Sequence, residues 1–517
     1  MAKQRRKSGK KGRSRKKTSK RRVVRKAPPL PPIVYAQASP LSVGGRSLFG
    51  APLLSVSEVP CYVSEDAVLR RAVTQLQRAG FHVMQVGACT VNIAGPPELY
   101  ESVFSTKLVT EERPVVKPFC REDVATFIDS TDTDIPGLIS PRRSRLSELI
   151  EGVALEEPSF PFFAHPFAPL VDYWHLRVPG DVSLGVNADK AHRAGVTGRG
   201  IKVVMTDTGW YRHSYFTKRG YRSSPVVLGP GSDDLANDEV GHGTGESANL
   251  FAVAPDIDFT MVKTNFVNST GAFNAAIALE PDIISNSWGS DVRQPPLSPA
   301  NQALAAAIAT AVAKGIIVVF SAGNSHFGYP AQHPDVIAAG GVFIEQDGKF
   351  RASDYASGFA SSIYAGRVVP DVCGLVGLQP RAIYIMLPLE PGDEIDGGNA
   401  GSRHPDGDET MSNDGWAAFS GTSAAAPQVA GVCALVKQAC PELAPAAVRE
   451  ILDKTARDVT EGHSHPRTGG HPATSGADLA TGHGLVDAHK AVMLAKLESQ
   501  TSVRDRVPDD QGARSAR

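Results

Sequence analysis

Nowhere in the 517 residues is there a run of 18 apolar side chains, which excludes a transmembrane helix by length. Cysteine is scarce, with six residues at 61, 89, 120, 373, 433 and 440, none in a CxxC pair. That excludes the usual zinc-ribbon and dithiol spacings and gives no dense disulfide framework. Cys433 and Cys440 fall seven apart on one expected helix and read as small core fillers. The first 26 residues hold no acidic side chain, and no apolar stretch follows them. Pro28, Pro29, Pro31 and Pro32 interrupt the place where a secretory signal would need one, so a cytoplasmic location is the expectation.

The net charge of zero conceals an asymmetry. Residues 1–26 carry 15 Lys or Arg, leaving 39 basic against 54 acidic residues beyond them, a net of −15. A block of this kind is expected to be disordered, either a solubilising tail or a contact for nucleic acid, an anionic membrane surface or an acidic partner. Hydrophobic residues at 42% suffice for a large core, and 49 Gly with 38 Pro favour a loop-rich enzyme over a helical bundle.

Five segments are expected. Residues 1–40 form the basic tail and a Pro-rich linker. Residues 55–118 form a small α+β domain. Its expected helix runs from a Ser64 cap to about Arg78, with strands Phe81–Val86 and Thr90–Ile93, a second helix Glu98–Phe104 and a last strand Lys107–Thr110. A first strand near Leu54–Cys61 would complete a ferredoxin-like split βαβ module. Residues 119–172 read as a connector with a basic knot at Arg142–Arg145. From 173 to 497, short apolar runs (Ile201–Thr206, Phe259–Lys263, Asp282–Ser285, Ile316–Phe320) alternate with helical patterns. Strands without a polar face, separated by helices, imply an α/β fold whose parallel central sheet is covered on both sides. Residues 498–517 read as a frayed charged tail.

Three motifs carry chemistry. Asp207 ends an apolar strand, where open α/β sheets collect functional groups. Taken alone it is better explained as a turn aspartate before Gly209. His242 sits among glycines in Gly241-His242-Gly243-Thr244-Gly245, and a histidine near neutral pKa can take and return a proton. Ser423 opens an apolar helix after Phe419-Ser420-Gly421-Thr422. A hydroxyl there projects from a fixed backbone beside first-turn N–H groups that can stabilise an oxyanion. A plain N-cap is the bland alternative. Pro427 is expected in the first turn of that helix, where its missing N–H is no loss.

The order Asp–His–Ser and the segments VVMTDTG, GHGTG and FSGTSAAAPQVAG resemble the subtilase family. Ser321-Ala322-Gly323-Asn324 resembles its oxyanion segment, and Ser285-Asn286-Ser287-Trp288-Gly289 its substrate-binding strand. The resemblance covers about 173–495 and implies a subtilisin-like three-layer fold. It implies a serine endopeptidase with the triad Asp207, His242 and Ser423 and an oxyanion donor at Asn324. Ser287, Trp288, Gly289, Ala322 and Gly323 would then line the polypeptide substrate, with Trp288 shaping the groove. Residues 55–118 resemble a subtilase or sedolisin propeptide, which implies a self-processing zymogen inhibited by its own propeptide and cut between 119 and 172, with the knot at Arg142–Arg145 one candidate.

Two departures stand out. Gly245-Glu246 replaces the histidine found in many subtilases at position 245. Glu246, one turn after His242, could perturb it, or could serve the helix dipole as a first-turn acid. A long insertion, 377–415, carries Asp393, Glu394, Asp396, Asp406, Asp408, Glu409 and Asp414. These read as a solvated loop, with structural calcium as the alternative; the chemistry itself requires no cofactor and no catalytic metal. A catalytically silent peptide-binding version of the fold, and a protein whose main role lies in the basic tail, are the competing readings.

Overall fold

In the computed structural model, residues 28–50, 54–117, 121–161 and 173–506 are described. The basic tail expected at 1–26 and Cys120 lie outside them.

The small module is built on an antiparallel sheet of β1 (Val34–Pro40), β2 (His82–Val86), β3 (Val91–Gly95), β6 (Leu138–Ile139) and β7 (Ile150–Leu155). Its spatial order is β2-β3-β1-β7-β6. Helices α1 (Asp66–Arg78) and α2 (Pro97–Phe104) cover one face, with Ala72, Leu76, Tyr100 and Phe104 packed on Val34, Ala36, Ile93 and Val153. Taking β1, α1, β2, β3, α2 and β7 in sequence reproduces the split βαβ order. The boundaries differ from expectation. Val34–Pro40, expected in the linker, is the buried central strand, while Val59–Cys61 is a 3-10 turn. Ser64 donates to the Pro40 carbonyl at 3.3 Å instead of capping α1, and Glu65 holds the cap position without a side-chain bond. Lys107–Thr110 begins a long hairpin of β4 (Leu108–Lys117) and β5 (Arg121–Ser130), inserted before β7. Much of the expected connector therefore belongs to this module. A short strand, β8 (Phe160–Pro161), follows it.

The larger domain carries an eight-stranded sheet. Its parallel strands run β10 (Val227–Leu228), β11 (Asp258–Lys263), β9 (Lys202–Asp207), β12 (Ile283–Asn286), β14 (Ile317–Ser321), β15 (Ile337–Ile344). Beyond β15, β17 (Val372–Leu375) pairs in parallel and β16 (Phe350–Ala352) antiparallel. Alternate residues enter two cores. Val203, Met205, Ile317 and Val319 pack under α3 (His242–Val253) and α7 (Thr422–Ala439). Val204, Val318 and Phe320 pack under α4 (Ser269–Ala278) and α5 (Pro299–Ala313). This is the expected three-layer α/β architecture.

The small module docks its open face on α4 and α5. Leu48, Phe49, Leu138 and Ala154 form one apolar cluster with Ala305, Ala306 and Ala309. Asn92 and Asn268 exchange side-chain hydrogen bonds of 2.7 and 2.8 Å across the junction. The insertion 377–415 is an ordered unit, contrary to the solvated-loop expectation. It holds β18 (Ile385–Pro388) and α6 (Glu394–Asn399), and β18 pairs with β19 (Trp416–Phe419). Helix α8 (Pro445–Thr455) precedes a last helix, α9 (Ala488–Arg506), which extends into the expected frayed tail.

Candidate active site

The carboxyl ends of β9, β12 and β14 converge on the N-termini of α3 and α7. Asp207 is the last residue of β9, His242 the first of α3 and Ser423 the second of α7, and all three side chains are buried. The Nδ1–H of His242 donates to Asp207 Oδ1 at 2.7 Å, and the same oxygen accepts the Thr208 N–H at 2.8 Å. Phe419 lies beside the imidazole, ring centroids 6.2 Å apart. One close backbone approach brings α3 against the end of β9, and a side chain of the insertion crowds the residue before α3. A Cβ on Gly243 would stand 2.4 Å from the Gly209 carbonyl oxygen, and Gly241 adopts φ +87° where a Cβ would meet Asp393.

Asp238 organises the start of α3, a role that sequence reasoning missed. Its Oδ1 accepts the Gly241 N–H at 3.1 Å, and its Oδ2 accepts the Thr244 N–H and hydroxyl at 2.8 and 2.7 Å. An acid four residues before the helix was the available signal. Burial alone would lower the His242 pKa. The charge and hydrogen bond of Asp207, then the charges of Glu246 and Asp238, outweigh it and hold the imidazole above its ordinary value. Burial raises Asp238 as well, against its hydrogen bonds to Thr244 and Thr208.

Around Ser423 the contacts are reciprocal. Ser287 Oγ donates to the Ser423 carbonyl at 2.9 Å, and Ser423 Oγ lies 3.3 Å from the Ser287 carbonyl. Pro427 sits at the sixth residue of α7, not in its first turn as expected. It supplies no N–H to the Ser423 carbonyl, and the Ser287 hydroxyl takes that place. Asn324 Oδ1 accepts the Thr422 N–H at 3.0 Å and the Thr422 hydroxyl at 3.2 Å, while Gly323 N–H donates to the same hydroxyl at 3.1 Å. The amide of Asn324 is thereby locked to the turn that presents Ser423, with Ala322 buried just before it.

The strand β13 (Trp288–Asp291) has one edge on Gly328–Tyr329 and the other on β8, with Trp288 opposite Pro161 and Gly289 opposite Phe160. The chain's own segment thus occupies the edge expected to bind extended peptide. Trp288 does not shape that edge with its side chain. The indole is buried, donates to Thr206 Oγ1 at 2.7 Å and packs edge-on against Phe320 at 5.1 Å. Glu246, expected as a first-turn acid, is fully buried inside α3.

The insertion's carboxylates are engaged by the backbone. Asp393 Oδ1 caps α6 through the Asp396 N–H, Asp396 Oδ2 accepts from Gly392 and Gly415, and Asp408 accepts from Thr410 and Ala418. Burial pushes Asp393 up to about 8 and Asp408 to about 7. Among the described residues, no group of three or more His, Cys, Asp or Glu side chains is arranged to hold a metal ion.

Residues 198–484, which contain Asp207, His242, Asn324 and Ser423, match the subtilase family. The chain belongs to the subtilase family. Curated subtilases similar to it include alkaline elastase YaB from Bacillus sp. (strain YaB). That protein is 28% identical over 288 residues, covering 53% of this chain and 64% of its own length. M-protease from Shouchella clausii (strain KSM-K16) is 30% identical over 293 residues, covering 54% of this chain and 64% of its own. This subtilase thus spans just under two thirds of these relatives. In fold it resembles fervidolysin from Fervidobacterium pennivorans, described as a keratinolytic enzyme related to subtilisin. The TM-score is 0.54 at 17% identity, over 89% of this chain and 61% of that one.

Proposed function

We propose that this subtilase is a serine endopeptidase that hydrolyses peptide bonds through Asp207, His242 and Ser423. The observation that carries the reading is the buried 2.7 Å bond from Nδ1–H of His242 to Asp207, set at the mouth of the helix that presents Ser423. In this reading Ser423 Oγ attacks the peptide carbonyl carbon while His242 Nε2 accepts its proton. The amine leaves with that proton, and water repeats the sequence on the acyl-enzyme. Asp207 fixes the imidazole tautomer and balances the imidazolium. The Ser423 N–H, at the positive end of α7, and the Asn324 amide would stabilise the oxyanion. These steps require no cofactor.

The antiparallel seat of β8 on Trp288 and Gly289 supports a zymogen in which the small module inhibits by occupying the peptide edge. Processing then belongs after β8, within 162–172. The Arg142–Arg145 knot fits less well, because the chain beyond it returns into the module's sheet as β7. The basic tail remains a separate proposal for an anionic partner, tested by deleting residues 1–26 and measuring salt-dependent retention on heparin.

The purified chain, wild type beside Ser423→Ala, tests the central reading. Ser423→Ala should lower peptide hydrolysis at least about a thousand-fold, keep its folded circular dichroism, lose fluorophosphonate labelling and stay uncut by intact mass. Equal hydrolysis by both forms would overturn it. A folded wild type that neither labels nor hydrolyses would favour the silent peptide-binding alternative.

A further inference from the structure

One buried ionisable side chain in the core has no part in the steps above. Glu246 lies one turn beyond His242 and is fully buried. Its Oε2 accepts from Asn249 Nδ2 at 2.9 Å. Its Oε1 stands 3.9 Å from His242 Nε2 and has no hydrogen-bond partner. Asn249 Oδ1 in turn accepts from Gln428 Nε2 at 3.2 Å, and Gln428 is clamped by both backbone groups of Leu375, at 2.7 and 3.0 Å. A file of polar side chains therefore crosses from α3 through α7 to β17. Around it the core is apolar, with Phe419 and Leu389 crowding the adjacent Gly245.

Burying such a carboxylate is costly, and apolar residues of similar volume usually serve stability as well or better. Its placement therefore points to the imidazole. Asp207 holds the Nδ1 edge of His242, and Glu246 faces the Nε2 edge. We propose that Glu246 is a positioning residue that acts on His242 by charge, favouring the imidazolium that forms when Ser423 gives up its proton. This rests on the peptidase reading above.

The groups facing His242 can be named from each packed element. They are Asp207 from β9, Asp238 from the loop before α3, and Glu246 from α3 itself. Strands β18 and β19 bring no ionisable side chain, and α7 brings only Cys433 and, at its far end, Lys437. Burial and the Asp207 charge raise Glu246, against the opposing pull of His242. With Glu246 ionised the imidazolium is favoured, so as pH falls His242 takes up its proton, and is lost as a base, at higher pH than beside a neutral side chain. Deleting the charge should move the loss of activity to lower pH.

The test is a ¹³C-histidine titration of the full chain carrying Ser423→Ala, with the His242 signal assigned through His242→Ala. It is repeated with Glu246→Gln and Glu246→Met added. Both should lower the His242 pKa by about 1 unit, and the acid limb of kcat/KM should shift equally in the Ser423 forms. A shift below about 0.3 unit in a folded variant overturns the inference, since a purely structural Glu246 would change only stability. If neither variant folds, the Glu246 carboxyl signal of the parent decides. A step in concert with His242 supports the coupling, and a flat response overturns it. Hydrolysis indifferent to Ser423 would instead sink the peptidase reading, while the titration still reports on the charge.

Discussion

A proline inside the serine helix explains why Ser287 is needed. An ordinary residue at 427 would donate its N–H to the Ser423 carbonyl, and Pro427 cannot. The Ser287 hydroxyl approaches instead and couples the link between β12 and β13 to the turn that presents Ser423. Ser287→Ala should therefore destabilise the chain by about 1 kcal/mol in urea unfolding. Adding Pro427→Ala restores a helical donor, so the double variant should recover that loss. Strict additivity of the two changes would refute the exchange. At this scale Asp207, His242 and Ser423 were legible as candidates, because each lies in a local motif. Trp288 was not. Its position on the strand was clear, but whether its ring faced the groove or the core depended on Thr206 and Phe320, far off in the chain. Glu246 was noticed as an acid, yet its burial depended on Asn249, Gln428 and the packing of α7.

At the scale of elements, the position of the histidine helix depends on the absence of a methyl group. Gly243 lets α3 close on the Gly209 carbonyl, and that contact brings His242 within reach of Asp207. Gly243→Ala would place a Cβ against backbone that cannot swing away. The expected result is a destabilisation of about 2 kcal/mol and a fall in kcat of about a hundred-fold, read from chemical unfolding and peptide hydrolysis. Full activity in that variant would show that α3 has slack. The apolar strands and the helix Pro299–Ala313 could be read from periodicity because their burial is two-sided and continuous. Beyond Lys107–Thr110 the hairpin β4–β5 could not, since blocks of charge such as Glu111-Glu112-Arg113 interrupt its apolar residues and no period of two marks its arms. Nor could β1, a short strand that follows a run of prolines and itself ends in Pro40.

For the whole molecule, the proposed zymogen requires the small module to loosen from the larger domain. The small module is seated by an apolar cluster, the Asn92–Asn268 pair and the β8–β13 edge. Glu156 stands where β7 turns toward β8, accepting a 2.8 Å hydrogen bond from Gln37. Burial pushes it up to about 7 from 4.5, with the Glu157 charge adding to the rise and the Gln37 bond opposing it. The folded module therefore favours the protonated acid. Its contribution to stability is complete below about pH 4.5, declines as pH rises, and is lost above about pH 7. Asp393, Asp408 and Glu246 carry the same sign elsewhere in the chain, so a pH trend of the parent alone would not assign it. Glu156→Gln isolates it. In the Ser423→Ala background, raising pH from 5 to 8 should lower the protection of β1 and β7 amides, relative to their intrinsic exchange rates, in the parent and much less in the Gln variant. Identical protection in both forms at both pH values would mean that Glu156 has no part in loosening the module.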